Sequence, residues 1–234
     1  MHIFYTPDLS TDHFTLNEEE SRHCSKVLRL GLGDVVHLID GGGGLYEAEI
    51  SAISKKNVEL KVIHKQLEFG KRNHHLHIAI APTKNIDRLE WFLEKATEIG
   101  IDEITPLICD RSERKIVKEE RLDKVITAAV KQSLTAYHPK LNQAATFSEL
   151  MNKEFAGERL IAHCMDGSDK KFINEVVSIH QSYLVLIGPE GDFSPAELNT
   201  ALQNGFKPVT LGTTRLRTET AALAACFEVN YINR

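Results

Sequence analysis

No run of apolar residues approaches the length needed to span a membrane as a helix, which excludes a helical membrane protein. The start, MHIFYTPDLS, lacks the basic and apolar regions of a signal peptide, so the expected location is the cytoplasm. Cysteines are few and far apart, at 24, 109, 164 and 226, with no Cys-x-x-Cys pair. A disulfide scaffold and a zinc ribbon are therefore not expected, and the four read as small buried hydrophobes in a reducing compartment. There are 11 histidines but no His-Glu-x-x-His or comparable spacing, so no metal is expected; HHLH at 74–77 reads as the start of a strand. Positive charge is not in excess: the formal net charge of −5 argues against a generic coat for polyanions. Also missing are the Gly-Lys-Ser/Thr ending of a Walker A loop and a Gly-x-Gly-x-x-Gly after the first strand of an α/β unit. These absences disfavour the common phosphate loops and a dinucleotide-binding dehydrogenase.

What is present is an ordinary globular composition, 42% hydrophobic and 26% charged, over 234 residues, enough for one large domain or two unequal ones. In residues 1–70, short β-rich runs (HIFYT, VVHLID, LYEAEISAI, VELKVIH) alternate with turn signals, among them Asp40 followed by four glycines. One helix interrupts them, opened by Asn17 with Glu20 three residues later and continuing through SRHCSKVLRL. A small β-barrel or sandwich is expected, ending at a polar linker, LEFGKRN, over 67–73. From residue 74 the rhythm becomes strand, helix, strand, helix. Strands are expected at 76–81, 103–108, 159–165, 183–187 and 208–212. Helices are expected at 87–99, 122–133, within 169–179, at 195–204 and at 219–231. Continuous apolar strands between helices predict an α/β domain over 74–234, with a parallel sheet covered on both faces.

Two segments in this second part stand out. LVLIGPEGDFSPAEL (184–198) ends a buried strand in Gly188-Pro189-Glu190-Gly191 and then starts a helix with Ser194 as cap, Pro195 at its first position and Glu197 reaching back. Glycines let a ligand approach the backbone, and Pro189 stiffens the turn. Glu190 repels phosphate, so the ligand is expected to be neutral or cationic. LGTTRLRTETAALAA (211–225) repeats the plan: Gly212 ends a strand, Thr218 or Thr220 caps a helix, and small residues follow. A tight helix–sheet contact accounts for this second segment as well as a ligand site does. Between Arg111 and Lys131, seven basic residues face four acidic ones, a net of +3; charge alone reads this as a solvated helix face.

LIGPEGDFSPAEL followed by LGTTRLRTETAALAA resembles the RsmE family of the SPOUT methyltransferase superfamily. The resemblance extends to KNIDRLEWFLEKATEIGIDEITPLICDRSE (84–113) and HCSKVLRLGLGD (23–34), and so covers most of the chain. It implies a PUA-like β-barrel followed by a SPOUT-type parallel sheet with a C-terminal trefoil knot. It also implies a homodimer and methylation of N3 of a uridine in 16S rRNA of the small ribosomal subunit, with S-adenosylmethionine as methyl donor. Carried over by residue, the cofactor site is Gly188, Pro189, Glu190, Gly191, Leu211, Gly212, Leu216, Arg217, Thr218 and Thr220. The chain departs from the family in having Thr213-Thr214 where Pro-Arg is usual. It also has Lys131-Gln132-Ser133 and Thr135 where Glu-Gln-Ser and an arginine are expected.

Removing the uracil N3 proton requires an acceptor, and the charge developing on the base oxygens requires donors. Arg217 stays protonated and is assigned to the uracil oxygens or a phosphate. Glu219 is the nearest carboxylate and the candidate base, with Glu190 second. Lys84, Arg88 and Arg111, at the ends of the first two strands, are candidate phosphate contacts. His23, Lys26 and Arg29, expected on one helix face, are candidate RNA contacts of the first domain. His163 reads as a satisfied histidine at a strand end. Two alternatives stay open: a SPOUT enzyme acting on another base or a ribose 2′-oxygen, and a non-catalytic RNA-binding relative.

Overall fold

The structure, a computed structural model, describes residues 2–165 and 169–234. It separates into two compact units, Met1–Lys71 with Val130–His138, and Arg72–Ala129 with Pro139–Arg234.

The first unit contains β1 (Ile3–Tyr5), β2 (His13–Thr15), α1 (Glu18–Arg22), β3 (Val35–Ile39), β4 (Leu45–Ile53) and β5 (Val58–Gln66). Its sheet runs β1-β3-β4-β5-β2, with β1 parallel to β3 and every other neighbour antiparallel. Alternation along the strands sends Val36 and Leu38, Ala48 and Ile50, and Val58 and Leu60 into a core with Phe4, Leu16 and Cys24. Among the described residues no ladder joins β1 to β2, so the sheet is curled rather than closed by pairing. The glycine run has a local cause. Asp40 accepts from the amides of Gly42 and Gly44 and from the Tyr46 hydroxyl. Gly43, at φ +101°, lies flat under the Tyr137 ring, where a Cβ would come within 2.4 Å of it. The 130–138 segment is thus stitched into this unit, Gly43 N–H donating to the Ala136 carbonyl and His138 N–H to that of Gly41.

Asn17 caps α1 by accepting from Glu20 N–H, as its spacing predicts. The helix expected after it forms, but changes type at His23 and ends at Val27, short of Leu30. His23–Val27 is a single π-turn, closed by Leu28 N–H on the His23 carbonyl, and Arg29 then adopts φ +57°. A left-handed residue terminates a helix, so the helix does not continue past Leu28.

The second unit contains, in chain order, β6 (His75–Ile80), α2 (Ile86–Ile99), β7 (Glu103–Ile108) and α3 (Glu119–Ser133). Then come β8 (Lys140–Leu141), β9 (Ala145–Thr146), α4 (Phe147–Met151), β10 (Glu158–Ala162) and α5 (Ile173–Val176). It ends with β11 (Ser182–Ile187), α6 (Pro195–Gln203), β12 (Lys207–Val209) and α7 (Thr218–Ile232). The last turn of α3, from Val130, is counted with the first unit. The sheet order is β12-β10-β11-β6-β7-β8, with β9 also on β7, and every pairing is parallel. Leu184, Leu186, Ala79, Ala81, Leu107 and Ile161 meet Phe147 and Leu150 of α4 and Leu198 and Ala201 of α6. The alternate positions Val185, Ile78 and Ile80 are also fully buried, and α7, itself packed on α2, covers β6 and β11. Burial on both faces is why these strands read as unbroken apolar runs.

Three details differ from expectation. The helix within 169–179 shrinks to the single turn of α5, and the strand expected at 208–212 ends at Val209. The two-residue strands β8 and β9 and the short helix α4 were not foreseen, although Thr146 and Glu149 form a complete capping box for α4.

Candidate active site

The carboxyl ends of β10, β11 and β12 open into one cleft of about 710 Å³, at the edge where ligands of parallel α/β sheets bind. Its walls come chiefly from the three chain segments that leave those strands, 162–164, 187–190 with Asp192, and 209–218, joined by Arg88, Lys170 and Ala221. Gly188 ends β11 with no room for a side chain, since a Cβ would press on the Phe193 ring at 3.0 Å. Phe193 is fully buried, so the ring cannot yield. The two late loops are fastened together: the buried Thr218 hydroxyl donates to the Gly188 carbonyl at 3.2 Å, and Arg215 donates to the Glu190 carbonyl at 3.4 Å.

Residues in and around the cleft brace these loops. Glu197, buried in the first turn of α6, accepts from Ser194 N–H and from Asp110 N–H. Ser194 in turn donates to the Asp110 carboxylate at 2.6 Å. Arg111 donates to the carbonyls of Gly191 and Phe193, and Arg114 to those of Thr83 and Lys84. On the far wall Lys170 donates to the carbonyls of His163 and Met165, and Asp192 accepts from Cys164 N–H. Of these, Asp110, Arg114, Asp192 and Lys170 carried no signal in the sequence, because their partners lie 5 to 84 residues away.

Of the residues singled out from the sequence, Gly188, Pro189, Glu190, Leu211, Gly212, Leu216, Arg217, Thr218 and Arg88 line this one cleft. Gly191 and Thr220 are exposed and do not line it. Thr218 and Thr220 do not cap α7: the N-cap is Arg217, without a side-chain bond, because the Thr218 hydroxyl is turned to Gly188. The Glu190 carboxylate already accepts from Lys84 N–H at 2.9 Å. Lys84 itself pairs with Glu113 at 2.9 Å. Glu219 is buried in the first turn of α7 and does not line the cleft; its carboxylate lies 3.8 Å from the guanidinium of Arg88. His163 and Cys164 do line it. Burial, then the neighbouring Lys170, holds the His163 imidazole below its ordinary pKa. Cys164 is exposed, unlike the other three cysteines, which corrects the expectation of four buried thiols.

In the first unit, Lys26 lies on the π-turn, next to His23, whereas Arg29 lies beyond its end. The shared helix face expected for the three therefore does not exist. Lys131, which stands where the family's glutamate is expected, is half-buried and donates to Glu20 at 2.6 Å. Thr213 and Thr214 are exposed on the cleft rim. Among the described residues no group of three or more His, Cys, Asp or Glu side chains is placed to hold a metal ion. No described helix is long and apolar enough to cross a membrane.

A small curled β unit and a parallel α/β unit with a backbone-lined cleft at its strand ends together define an RNA-methyltransferase architecture. Residues 71–230 match the family described as the RNA methyltransferase domain, and residues 16–63 match the RNA methyltransferase PUA domain. The ribosomal RNA small subunit methyltransferase E of Rickettsia conorii is 30% identical over 227 residues, covering 96% of this chain and 89% of its own. The crystal structure of a probable rRNA-methyltransferase from Porphyromonas gingivalis is 38% identical, with a TM-score of 0.93 over 100% of this chain and 98% of that one. A ribosomal RNA small subunit methyltransferase E from Neisseria gonorrhoeae, solved bound to S-adenosyl methionine, is 26% identical with a TM-score of 0.88, covering 100% of this chain and 98% of that one. The chain belongs to the ribosomal RNA small subunit methyltransferase E (RsmE) family.

Proposed function

We propose that this protein transfers a methyl group from S-adenosylmethionine to N3 of a uridine in 16S rRNA. In this reading residues 1–70 form the RNA-binding domain and 74–234 the catalytic one. One observation carries it: the loops at 188–190 and 211–218 line a single cleft. Those elements fit the donor. Its adenine and ribose suit backbone amides and carbonyls at Gly188, Leu211, Gly212, Leu216 and Thr218 and the Pro189 carbonyl, with Gly191 and Thr220 next to them in sequence. Its amino-acid carboxylate suits a cation on the rim. Its sulfonium disfavours a loose cationic cradle. The amine of Lys170 is engaged by two carbonyls, and one guanidinium nitrogen of Arg215 by another, so neither is a loose counter-ion to phosphate. When bound, the donor supplies an electrophilic methyl group.

The chain's own residues hold the acceptor and manage its charge. Arg217, exposed at the start of α7 and lining the cleft, is placed to donate to the uracil oxygens as N3 loses its proton. The N3 proton passes to water or to a carboxylate at the rim; of the two acids in the cleft lining, Asp192 already accepts from Cys164 N–H and Phe193 N–H, which leaves Glu190 as the candidate. Arg88, Lys84 and Arg111 supply positive charge beside this opening, and His23, Lys26 and Arg29 supply it on the first unit. The acceptor is the rRNA of the small subunit, in the cytoplasm, and the enzyme is a knotted homodimer of the kind its resemblance implies.

Small subunits lacking the modification, incubated with labelled donor and digested to nucleosides, are expected to yield labelled 3-methyluridine. A labelled 2′-O-methylnucleoside would reassign the acceptor. Donor binding by calorimetry without any label on the RNA would make the chain a binding relative rather than an enzyme.

A further inference from the structure

Arg88 occupies the third position of α2, after the cap Asn85, where the helix dipole disfavours a cation. Its neighbour Asp87 faces Arg121 at 3.6 Å, so that carboxylate is already matched. Glu219, the second residue of α7, is nine-tenths buried with its carboxylate 3.8 Å from Arg88 Nε, while Arg88 is about two-fifths exposed and lines the cleft. The arginine thus lines the cleft, and the acid paired with it is not part of the lining.

We infer that Glu219 is a positioning residue, which aims the Arg88 guanidinium into the cleft toward an anionic group of the RNA, and is not the proton acceptor. A general base must come within about 3 Å of the proton it removes, and Glu219 does not reach the cleft wall. At 3.8 Å the carboxylate acts on Nε as an ion-pair partner rather than through a hydrogen bond, and a guanidinium has five donors to offer to RNA. The inference rests on the reading of this cleft as the methyl-transfer site.

The test compares Glu219→Gln, Arg88→Met, Arg88→Lys and the Glu219→Gln/Arg88→Met double variant, on hypomodified small subunits with saturating donor. Glu219→Gln and Arg88→Met are each expected to raise the half-saturating RNA concentration about tenfold, the scale of one charged hydrogen bond. The single-turnover rate at saturating RNA is expected to fall no more than about threefold, with the acidic limb of the pH–rate profile unmoved. The double variant is expected to be no worse than the weaker single, because both remove one device. Arg88→Lys, which keeps a charge but loses the fork, is expected to fall between wild type and Arg88→Met. Donor affinity by calorimetry reports whether a variant has merely lost its fold.

Glu219→Gln with a collapsed rate at saturating RNA and a lost acidic limb would overturn the inference and make it the base. Multiplying effects in the double variant would also overturn it, since the two residues would then act separately. A wild-type protein that takes no donor at all would instead sink the functional reading.

Discussion

His77 is buried in β6, and its ring nitrogen lies 2.8 Å from the Thr105 hydroxyl. Asn142 donates to that same hydroxyl and to Glu103, completing a small polar net under the sheet. Burial pushes the His77 pKa down to about 4, the nearby Glu103 only partly opposing it. The unfolded chain therefore takes up this proton first, near the ordinary value of about 6.5. Stability conferred by the neutral imidazole is complete above that value and is lost as pH falls from about 6.5 toward 4. The loss is on the order of 3 kcal/mol by pH 4. Urea unfolding across this window is expected to show it, and His77→Gln is expected to flatten the dependence. An unchanged slope in the variant would refute the assignment. In the sequence, HHLH shows only that a strand begins; Thr105 and Asn142, 28 and 65 residues away, were needed to show why one of its histidines stays neutral.

At the scale of elements, the site depends on loops braced by loops. Arg111 illustrates it: as a sequence position it is a cation past a strand end, yet in the fold it donates to the Gly191 and Phe193 carbonyls. Its contact with phosphate, if RNA is bound, uses only what those bonds leave. Arg111→Ala is expected to weaken donor binding about tenfold in calorimetry and to lower the melting temperature by roughly 2–4 °C. Undiminished donor affinity would show that the Gly188–Gly191 turn holds its shape unaided. The start of helix α6 was legible to the residue because its signals are local: Ser194, Pro195 and Glu197 all act within one turn; its end at Gln203 lies one residue before the expected 204, with Gly205 following at positive φ. The helix after Asn17 was misread because its interruption is not local. Apolar spacing continued through Leu30, but the chain turns left-handed at Arg29, so periodicity alone overran the end.

For the molecule as a whole, the cleft couples ligand to fold. A donor that binds only the folded state is expected to stabilise it by about 2.7 kcal/mol at one hundred times its dissociation constant. Thermal unfolding with and without S-adenosylmethionine checks this, and hydrogen exchange should slow at 188–191 and 211–218. Exchange that slows elsewhere, with these segments unaffected, would move the site. Much of this organisation was written along the chain. Burial on both faces of a parallel strand requires unbroken apolar runs, and helix starts require caps nearby, so the alternation from residue 75 and both glycine loops could be read directly. Tertiary structure alone decided the rest. Which cations are held by carbonyls, why Gly43 must admit Tyr137, and that Glu219 pairs with Arg88 all depend on contacts between residues dozens of positions apart. Local propensity extends over about a turn, whereas a side chain's charge and reach are set by whatever the fold brings beside it.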